Sequence, residues 1–515
     1  MYNRRNKNTL VVILLLISSI SVAQNYVEDA LTYSQTKPGG SARIQAIGGA
    51  QIALGGDYSS ALSNPAGLGM YNRSEFTFTP AISGYSSTST YFGNTDKDGK
   101  TTLNIPGISL VIHGVKDKNG FLGGSFGVSM SRVNDFHGAT TFHGTNPNNS
   151  IIDSYIDQAN GYTTIQFDDK DGWQYNTPVG LAYFNYLIGA KSILDPPGPD
   201  DEYFTDAPIE SNQRISILTK GATNQWSISY GGNYKDILFF GAGIGITSLK
   251  HKSQRIFDET FPDDQIINGH SLTENIQTKG TGFNATLGFI LRPVNFLQIG
   301  ASFTTPTLYS LTGSYDASMS SSWNDFDYFG SGDPKDYLNE EAASTDIVIS
   351  EYSFRSPLKF SAGAAFISKF GFITGDIELS NPAQTKYTFN DQGQGYTMDF
   401  TQDNKDIKSL YKMALNYRIG AEYRYEIFRI RGGFGVQGNA YQKDLGLDNS
   451  IQNISGGVGI RTASYYIDLA LISSSQKKYS YQPYFLGDSF PDEEQPVATI
   501  KKNSFTGMVT VGFTF

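Results

Sequence analysis

The stretch Leu122-Gly123-Gly124-Ser125-Phe126-Gly127-Val128-Ser129-Met130-Ser131 alternates without a break. Successive side chains of a strand point to opposite sides. Leu122, Gly124, Phe126, Val128 and Met130 therefore share one face, and Gly123, Ser125, Gly127, Ser129 and Ser131 the other. The first face suits hydrocarbon. The second, built from the smallest side chains, suits a crowded interior. Leu238, Phe240, Ala242, Ile244 and Ile246 repeat the pattern against Phe239, Gly241, Gly243, Gly245 and Thr247. Phe283, Ala285, Leu287, Phe289 and Leu291 do so against Asn284, Thr286 and Gly288. A soluble sandwich alternates too, but nothing in it calls for Gly and Ser so densely on the second face.

Outward from this stretch, about fourteen such segments follow one another. They lie near 75–86, 101–114, 120–133, 212–232, 237–256, 272–291, 296–317, 351–367, 370–387, 409–425, 427–440, 450–462, 464–476 and 499–515. The links between them alternate in length. Lys116-Asp117-Lys118-Asn119, Asn233-Tyr234-Lys235-Asp236, Arg292-Pro293-Val294-Asn295 and Ser368-Lys369 are short. Links near 87–100, 133–211, 257–271, 318–350, 388–408, 441–449 and 477–498 are expected to be long. Short turns at one end and long loops at the other predict an all-β fold, a transmembrane antiparallel β-barrel. Several segments exceed the length a membrane needs, so the barrel should stand above it. The last segment places Phe505, Gly507, Val509, Val511, Phe513 and Phe515 on one face. Closure needs this strand to pair with the first.

Composition agrees. The 515 residues include 55 Gly, 32 Tyr and 34 Phe, and mean hydropathy is −0.30. A barrel hides its membrane face in alternation and so reads as soluble on average. Arg4, Arg5 and Lys7 precede an apolar run from Leu10 to Ile20, then Ser21-Val22-Ala23. That order predicts a signal peptide over 1–23, cut before Gln24. Absence of Cys excludes a lipid anchor, disulfides and thiolate metal sites. A net charge of −10 with no basic stripe argues against nucleic acid. The five histidines, His113, His137, His143, His251 and His270, accompany no nucleophile motif. Asp168-Asp169-Lys170-Asp171-Gly172 lacks the Glu a calcium loop needs at its twelfth position. No enzyme, metal or cofactor is expected.

Residues 24–73 do not alternate. Small residues dominate Ala46-Ile47-Gly48-Gly49-Ala50 and Ala53-Leu54-Gly55-Gly56-Asp57, and Asn64-Pro65 forms a rigid turn. A lumen of about fourteen strands is wider than wall side chains fill, so this segment is expected inside it as a plug. The run Gly55-Gly56-Asp57-Tyr58-Ser59-Ser60-Ala61-Leu62-Ser63-Asn64-Pro65-Ala66-Gly67-Leu68 resembles the N-terminal hatch of the FadL/TodX family of outer-membrane transporters, which carries an Asn-Pro-Ala motif there. Tyr352-Ser353-Phe354-Arg355-Ser356-Pro357 and Tyr417-Arg418-Ile419-Gly420-Ala421-Glu422-Tyr423-Arg424 are similar to segments of its Bacteroidetes members. The resemblance implies a fourteen-stranded barrel over 74–515, a hatch gated by Asn64, Pro65 and Ala66, and passive uptake of hydrophobic compounds such as long-chain fatty acids or aromatic hydrocarbons. It also implies a lateral exit at a kinked wall strand. A C-terminal strand ending on Phe515 resembles the signal read by the barrel-assembly machinery. PorV-like relatives serve instead as partner-binding subunits of secretion complexes, an alternative in which the barrel docks other outer-membrane proteins.

Three features bear on transport. Pro106-Gly107 interrupts an alternating strand, which marks a bulge or, with Gly123 and Gly124, a lateral gate. In the link 133–211, Ser150 can cap a helix through Ile151, Ile152, Tyr155, Ile156 and Ala159, and Thr177-Pro178 can start another. Leu181, Tyr183, Phe184 and Leu187 follow. They form either a greasy vestibule for ligand or the packing of two helices that cap the barrel, since both bury the same surface. Arg43, Arg73, Arg418 and Arg424 could each meet a carboxylate, of cargo or of a neighbouring wall acid. Membrane lipids and lipopolysaccharide are the expected surroundings.

Overall fold

The computed structural model describes residues 26–170, 174–191, 202–389, 398–443, 447–487, 490 and 495–515. The expected signal peptide lies outside them. Fourteen antiparallel wall strands follow in chain order. They are β1 (Glu75–Tyr91), β2 (Asn94–Lys118), β3 (Phe121–Asp135, continuing as Gly138–Asn146), β4 (Ser211–Tyr234), β5 (Leu238–Thr260) and β6 (Ile267–Val294). Next come β7 (Leu297–Thr304, continuing as Leu308–Phe326), β8 (Val348–Arg355, continuing as Lys359–Ser368) and β9 (Gly371–Ser380, continuing as Lys386–Phe389). β10 (Ala414–Tyr425), β11 (Phe428–Gln437), β12 (Ile451–Arg461), β13 (Tyr465–Gln476) and β14 (Ala498–Thr514) complete the ring. Each strand pairs with its neighbours in sequence, and β14 pairs with β1 from Glu75↔Thr514 to Thr90↔Thr499. Closure leaves the sheet without a free end at either terminus.

The alternation reads directly on the wall. On β3, Ser125, Ser129 and Ser131 are buried toward the lumen while Phe126 is exposed outward. Trp226, Ile228 and Tyr230 on β4, Ile244 and Ile246 on β5, and Phe283, Leu287 and Phe289 on β6 continue an outer apolar belt. Phe505, Phe513 and Phe515 close it. A closed sheet with an outward apolar belt and short turns below it is the form a membrane-spanning barrel takes. β4, β5 and β6 run 24, 23 and 28 residues, so their upper halves stand clear of the belt.

The first upper link differs from expectation. β1 and β2 continue to Tyr91↔Asn94, and the turn is Phe92-Gly93, both at positive φ. That is the tight hairpin geometry that matches strand twist. The links expected at 133–211, 257–271 and 318–350 also begin or end as strand, at Asn146, Thr260, Ile267 and Phe326. Above the membrane both faces are polar, so alternation loses its contrast there. β7, β8 and β9 break at Pro306, Pro357 and Pro382, which have no N–H for a ladder. Pairing of β7 with its neighbours and of β8 with β7 resumes beyond the first two breaks, so the wall bends there without opening, while Lys386–Phe389 of β9 pairs with β8 alone.

Candidate functional site

One part of the wall does open its ladder. β2 pairs with β3 only from Lys118↔Phe121 up to Gly107↔Ser131. Beyond that point Asn94 to Asn104 pair with β1 alone, and Gly138–Asn146 of β3 pairs with β4 alone. Pro106 stands at the divergence, and on β1 Pro80 stands in the matching irregularity between Thr79↔Gly107 and Ala81↔Asn104. Two prolines thus withdraw two donors at one height. The β14–β1 ladder also lacks pairs at Thr79 and Pro80. Pro80 carried the same signal as Pro106, a proline in an alternating strand, but only the strand register shows that the two meet. Gly123 and Gly124 do not join them. Gly124 pairs with Gly114, about 23 Å along β3 from Ser131, beside the lower turn.

Side chains bridge the seam in place of a ladder. Asp98 accepts from the Thr141 hydroxyl at 2.9 Å, and Asp96 lies 2.8 Å from His143 Nδ1. Ser87 and Ser89 donate to the carbonyls of Ala139 and Thr141. The Phe136-His137 break of β3 lies beside it, where Asp135 holds both Arg132 and His137 at 2.8 Å.

The N-terminal segment occupies the lumen. It touches inward-facing residues right round the ring, which only an enclosed segment can do. The Ala42 amide donates to Thr510 on β14, Gly48 to Ser455 on β12, and Gln51 and Ile52 to Asp376 on β9. Asn64 caps a 3₁₀ turn, Pro65–Met70, by accepting from the Ala66 amide at 3.2 Å, and its Nδ2 donates to Ile52 O at 2.7 Å and Phe289 O of β6. Asn64, Pro65 and Ala66 are thereby all buried against β5 and β6. Wall glycines receive this backbone. A Cβ on Gly241 would sit 2.3 Å from the Pro65 carbonyl carbon, one on Gly300 2.2 Å from Ile52 O, and one on Gly433 2.1 Å from Ile47. The segment also covers the seam. Lys37 N donates to Val133 O at 2.7 Å, Asn134 donates to the carbonyls of Thr32 and Gln35, and Tyr58 reaches Thr79 beside Gly107.

Above it, helix α1 (Tyr26–Ser34) is held in an aromatic cage. Tyr26 meets Tyr352, Tyr387 and Phe400 edge-on, and Tyr33 meets Phe136 and Phe354 and bonds His251. The cage therefore runs from the barrel axis to the break in β3. Charges below it are paired. Arg43 lies 3.6 Å from Glu422 and 4.0 Å from Asp57, Arg424 and Arg431 lie 2.8 and 2.7 Å from Glu422, and Arg431 reaches Asp468. Arg418 lies 3.2 Å from Glu378, and Arg73 donates to Ala463 O at the lower rim. Three of the four candidate arginines thus hold wall or plug acids. Lys359, not singled out from sequence, lines a small cavity with Glu378, the acid that Arg418 holds, and bonds Thr36. Two cations face one carboxylate there.

The long link caps the top. Ser150 caps α2 (Ile151–Ala159), and Thr177 caps its companion α3 (Pro178–Phe184). Leu181 and Leu187 are buried between these helices and the strand tops, with Phe257, Leu272, Trp323 and Tyr484. They offer no open vestibule surface. Only Tyr183 and Phe184 are half-exposed, against Phe167 and Tyr175, and burial pushes the Tyr183 phenol up to about 12. Glu259 ties the cap to the wall by accepting from Ser150, Ser211 and Gln213 at 2.6–2.8 Å.

A closed fourteen-stranded membrane barrel, plugged from its N-terminal side and split between β2 and β3, is the class of protein this geometry defines. Its fold is shared by a FadL homologue of Pseudomonas aeruginosa, at TM-score 0.55 and 13% identity over 94% of this chain and 100% of that one. The toluene transporter TodX of P. putida aligns at TM-score 0.49 and 12% identity over 93% and 99% of the two chains. The toluene transporter TbuX of Ralstonia pickettii aligns at 0.45 and 14% over 93% and 99%. No family model and no curated protein matches the sequence.

Proposed function

We propose that this chain is an outer-membrane channel for passive uptake of hydrophobic compounds, with the N-terminal segment as hatch and the β2–β3 seam as lateral exit. The seam carries the reading. A ladder that ends at Gly107↔Ser131 beside two prolines gives an apolar solute a route from the lumen into the bilayer without crossing water. The aromatic cage supplies a greasy path to it. Lys359, lining the cavity beside Thr36, supplies a place for the carboxylate of a fatty acid, while a hydrocarbon would use the cage alone. Nothing in the route consumes energy, since each step exchanges one apolar environment for another. The fold shared with a FadL homologue supports the same reading.

Exposed Ile165, Ile209 and Phe329 on the upper loops favour a second reading, a barrel that docks a partner protein. One experiment separates them. The chain has no native Cys, so Asp98→Cys with Thr141→Cys places a single disulfide across the seam. Oxidised cells should lose uptake of radiolabelled oleate and toluene, and reductant should restore it. Full uptake with the disulfide formed would sink the lateral route.

A further inference from the structure

Four lysines crowd the outer wall just above the apolar belt. Lys220 of β4 is directly opposite Lys252 of β5, and Lys250 of β5 is directly opposite Lys279 of β6. Directly opposed residues of an antiparallel pair point to the same face with Cβ atoms about 5 Å apart, and like charges there repel. The face is the outer one. Trp226, Ile246 and Phe283, in the same alternation on the same three strands, are exposed belt residues. All four lysines are exposed. The lysine ion pairs among the described residues are Lys191–Glu202 and Lys477–Asp448, so no carboxylate lies within 4.0 Å of these four. A fifth ammonium, that of Lys100, reaches Thr219 O next to Lys220. Of the acids on that side, Asp135 is already held by Arg132 and His137, and Asp98 accepts from Thr141. Along the row beyond Lys279 stands Thr312, and Glu351 lies one strand further.

A chain with net charge −10 has acids enough to neutralise such a patch, yet places none in it. Uncompensated repulsion of this kind persists where an anion from outside compensates it. Height identifies the anion. Lys250 and Lys220 stand four and six residues above Ile246 and Trp226, a rise of roughly 10–15 Å along the membrane normal on tilted strands. Lysine stems snorkel back toward the head-group layer from there. That layer, at the long-loop end, is the outer leaflet.

We propose that Lys220, Lys250, Lys252 and Lys279 form a docking site for the phosphate groups of an outer-leaflet glycolipid. The site borders the β2–β3 seam, so a bound glycolipid would stand as a fixed neighbour of that opening. Ammonium groups take phosphate as point charges and do not require a preset fork.

The test uses the full chain in phosphatidylcholine nanodiscs carrying diphosphorylated lipid A, with native mass spectrometry after gentle release. The comparison is the Lys220→Gln, Lys250→Gln, Lys252→Gln, Lys279→Gln variant, whose outward substitutions leave the wall's packing intact. Parent protein should retain lipid A about a hundredfold more strongly than the variant, the scale expected of several basic residues at a charged interface. Enzymatically dephosphorylated lipid A should be retained equally weakly by both. The variant's folded band should survive heating in detergent as well as the parent's, since repulsion has been removed. Equal retention by parent and variant, or equal retention of the dephosphorylated lipid by the parent, would overturn the proposal. Displacement by millimolar inorganic phosphate would also overturn it, assigning the site to a soluble anion.

Discussion

At the residue scale, adjacent positions on one strand carry opposite demands. Gly432 and Gly433 follow each other on β11. A Cβ on Gly432 meets nothing within 4 Å, because that position faces outward. A Cβ on Gly433 would lie 2.1 Å from both Gly48 N and the Ile47 carbonyl carbon. Both contacts are backbone, which cannot swing aside as a side chain does. Gly433→Val should therefore lift the plug off β11, with an overpacking penalty of roughly 1–3 kcal/mol that falls on the plug and not on the ladder. Gly432→Val should be silent. Both proteins should show the heat-modifiable mobility of a folded barrel, while planar-bilayer recordings show frequent openings for Gly433→Val alone. Matching quiet traces from both would mean that the plug does not set conductance.

At the element scale, the prolines of β1 and β2 make a prediction that neither makes alone. Pro80 and Pro106 remove two donors where β14, β1, β2 and β3 meet. A double Pro80→Val, Pro106→Val variant regains two amides and the extended preference of a β-branched residue. Its ladder should extend past Gly107↔Ser131, uptake of apolar probes should fall severalfold, and hydrogen exchange at Gly107 to Leu110 should slow. Slowed exchange with unchanged uptake would show that the bulge serves folding only. Much of this was legible in the sequence. All fourteen strands were, because each membrane-facing segment alternates and each short turn announces itself. The upper strands were not. Ser86 to Thr90 are all hydroxyl residues, so their buried and exposed members look alike until the register is known. The seam was half legible for the same reason. Pro106 stands out in its own strand, but its meeting with Pro80, and its distance from Gly123 and Gly124, are properties of pairing between strands.

At the scale of the whole molecule, the wall and its plug divide the work of stability. The ring closes through β1 and β14, and β1 begins at Glu75, after the plug has ended. Below the seam the ladders run from strand to strand, broken only by local bulges, so closure does not depend on residues 26–71. The plug depends on the wall for its donors, its acceptors and the glycine clearances that admit it. Its charges are also arranged in common with the wall. Arg43 and Asp57 come from the plug, while Glu422, Arg424, Arg431 and Asp468 come from β10, β11 and β13. Removing the plug takes away one cation and one anion and leaves two arginines facing two wall acids, a balanced remainder that can still be solvated in an opened lumen. Deleting residues 26–71 while keeping residues 1–25 should therefore give a protein that reaches the membrane, stays heat-modifiable and conducts steadily. It should pass hydrophilic dyes that the parent excludes, and its uptake of apolar compounds should lose saturation, because α1, which fills the cage, and the seam contacts of Lys37, Thr32 and Gln35 go with it. Failure of the deleted chain to form a heat-modifiable band would show instead that the wall needs its plug to fold, and the glycine-lined lumen would then have to be read as half of a single core.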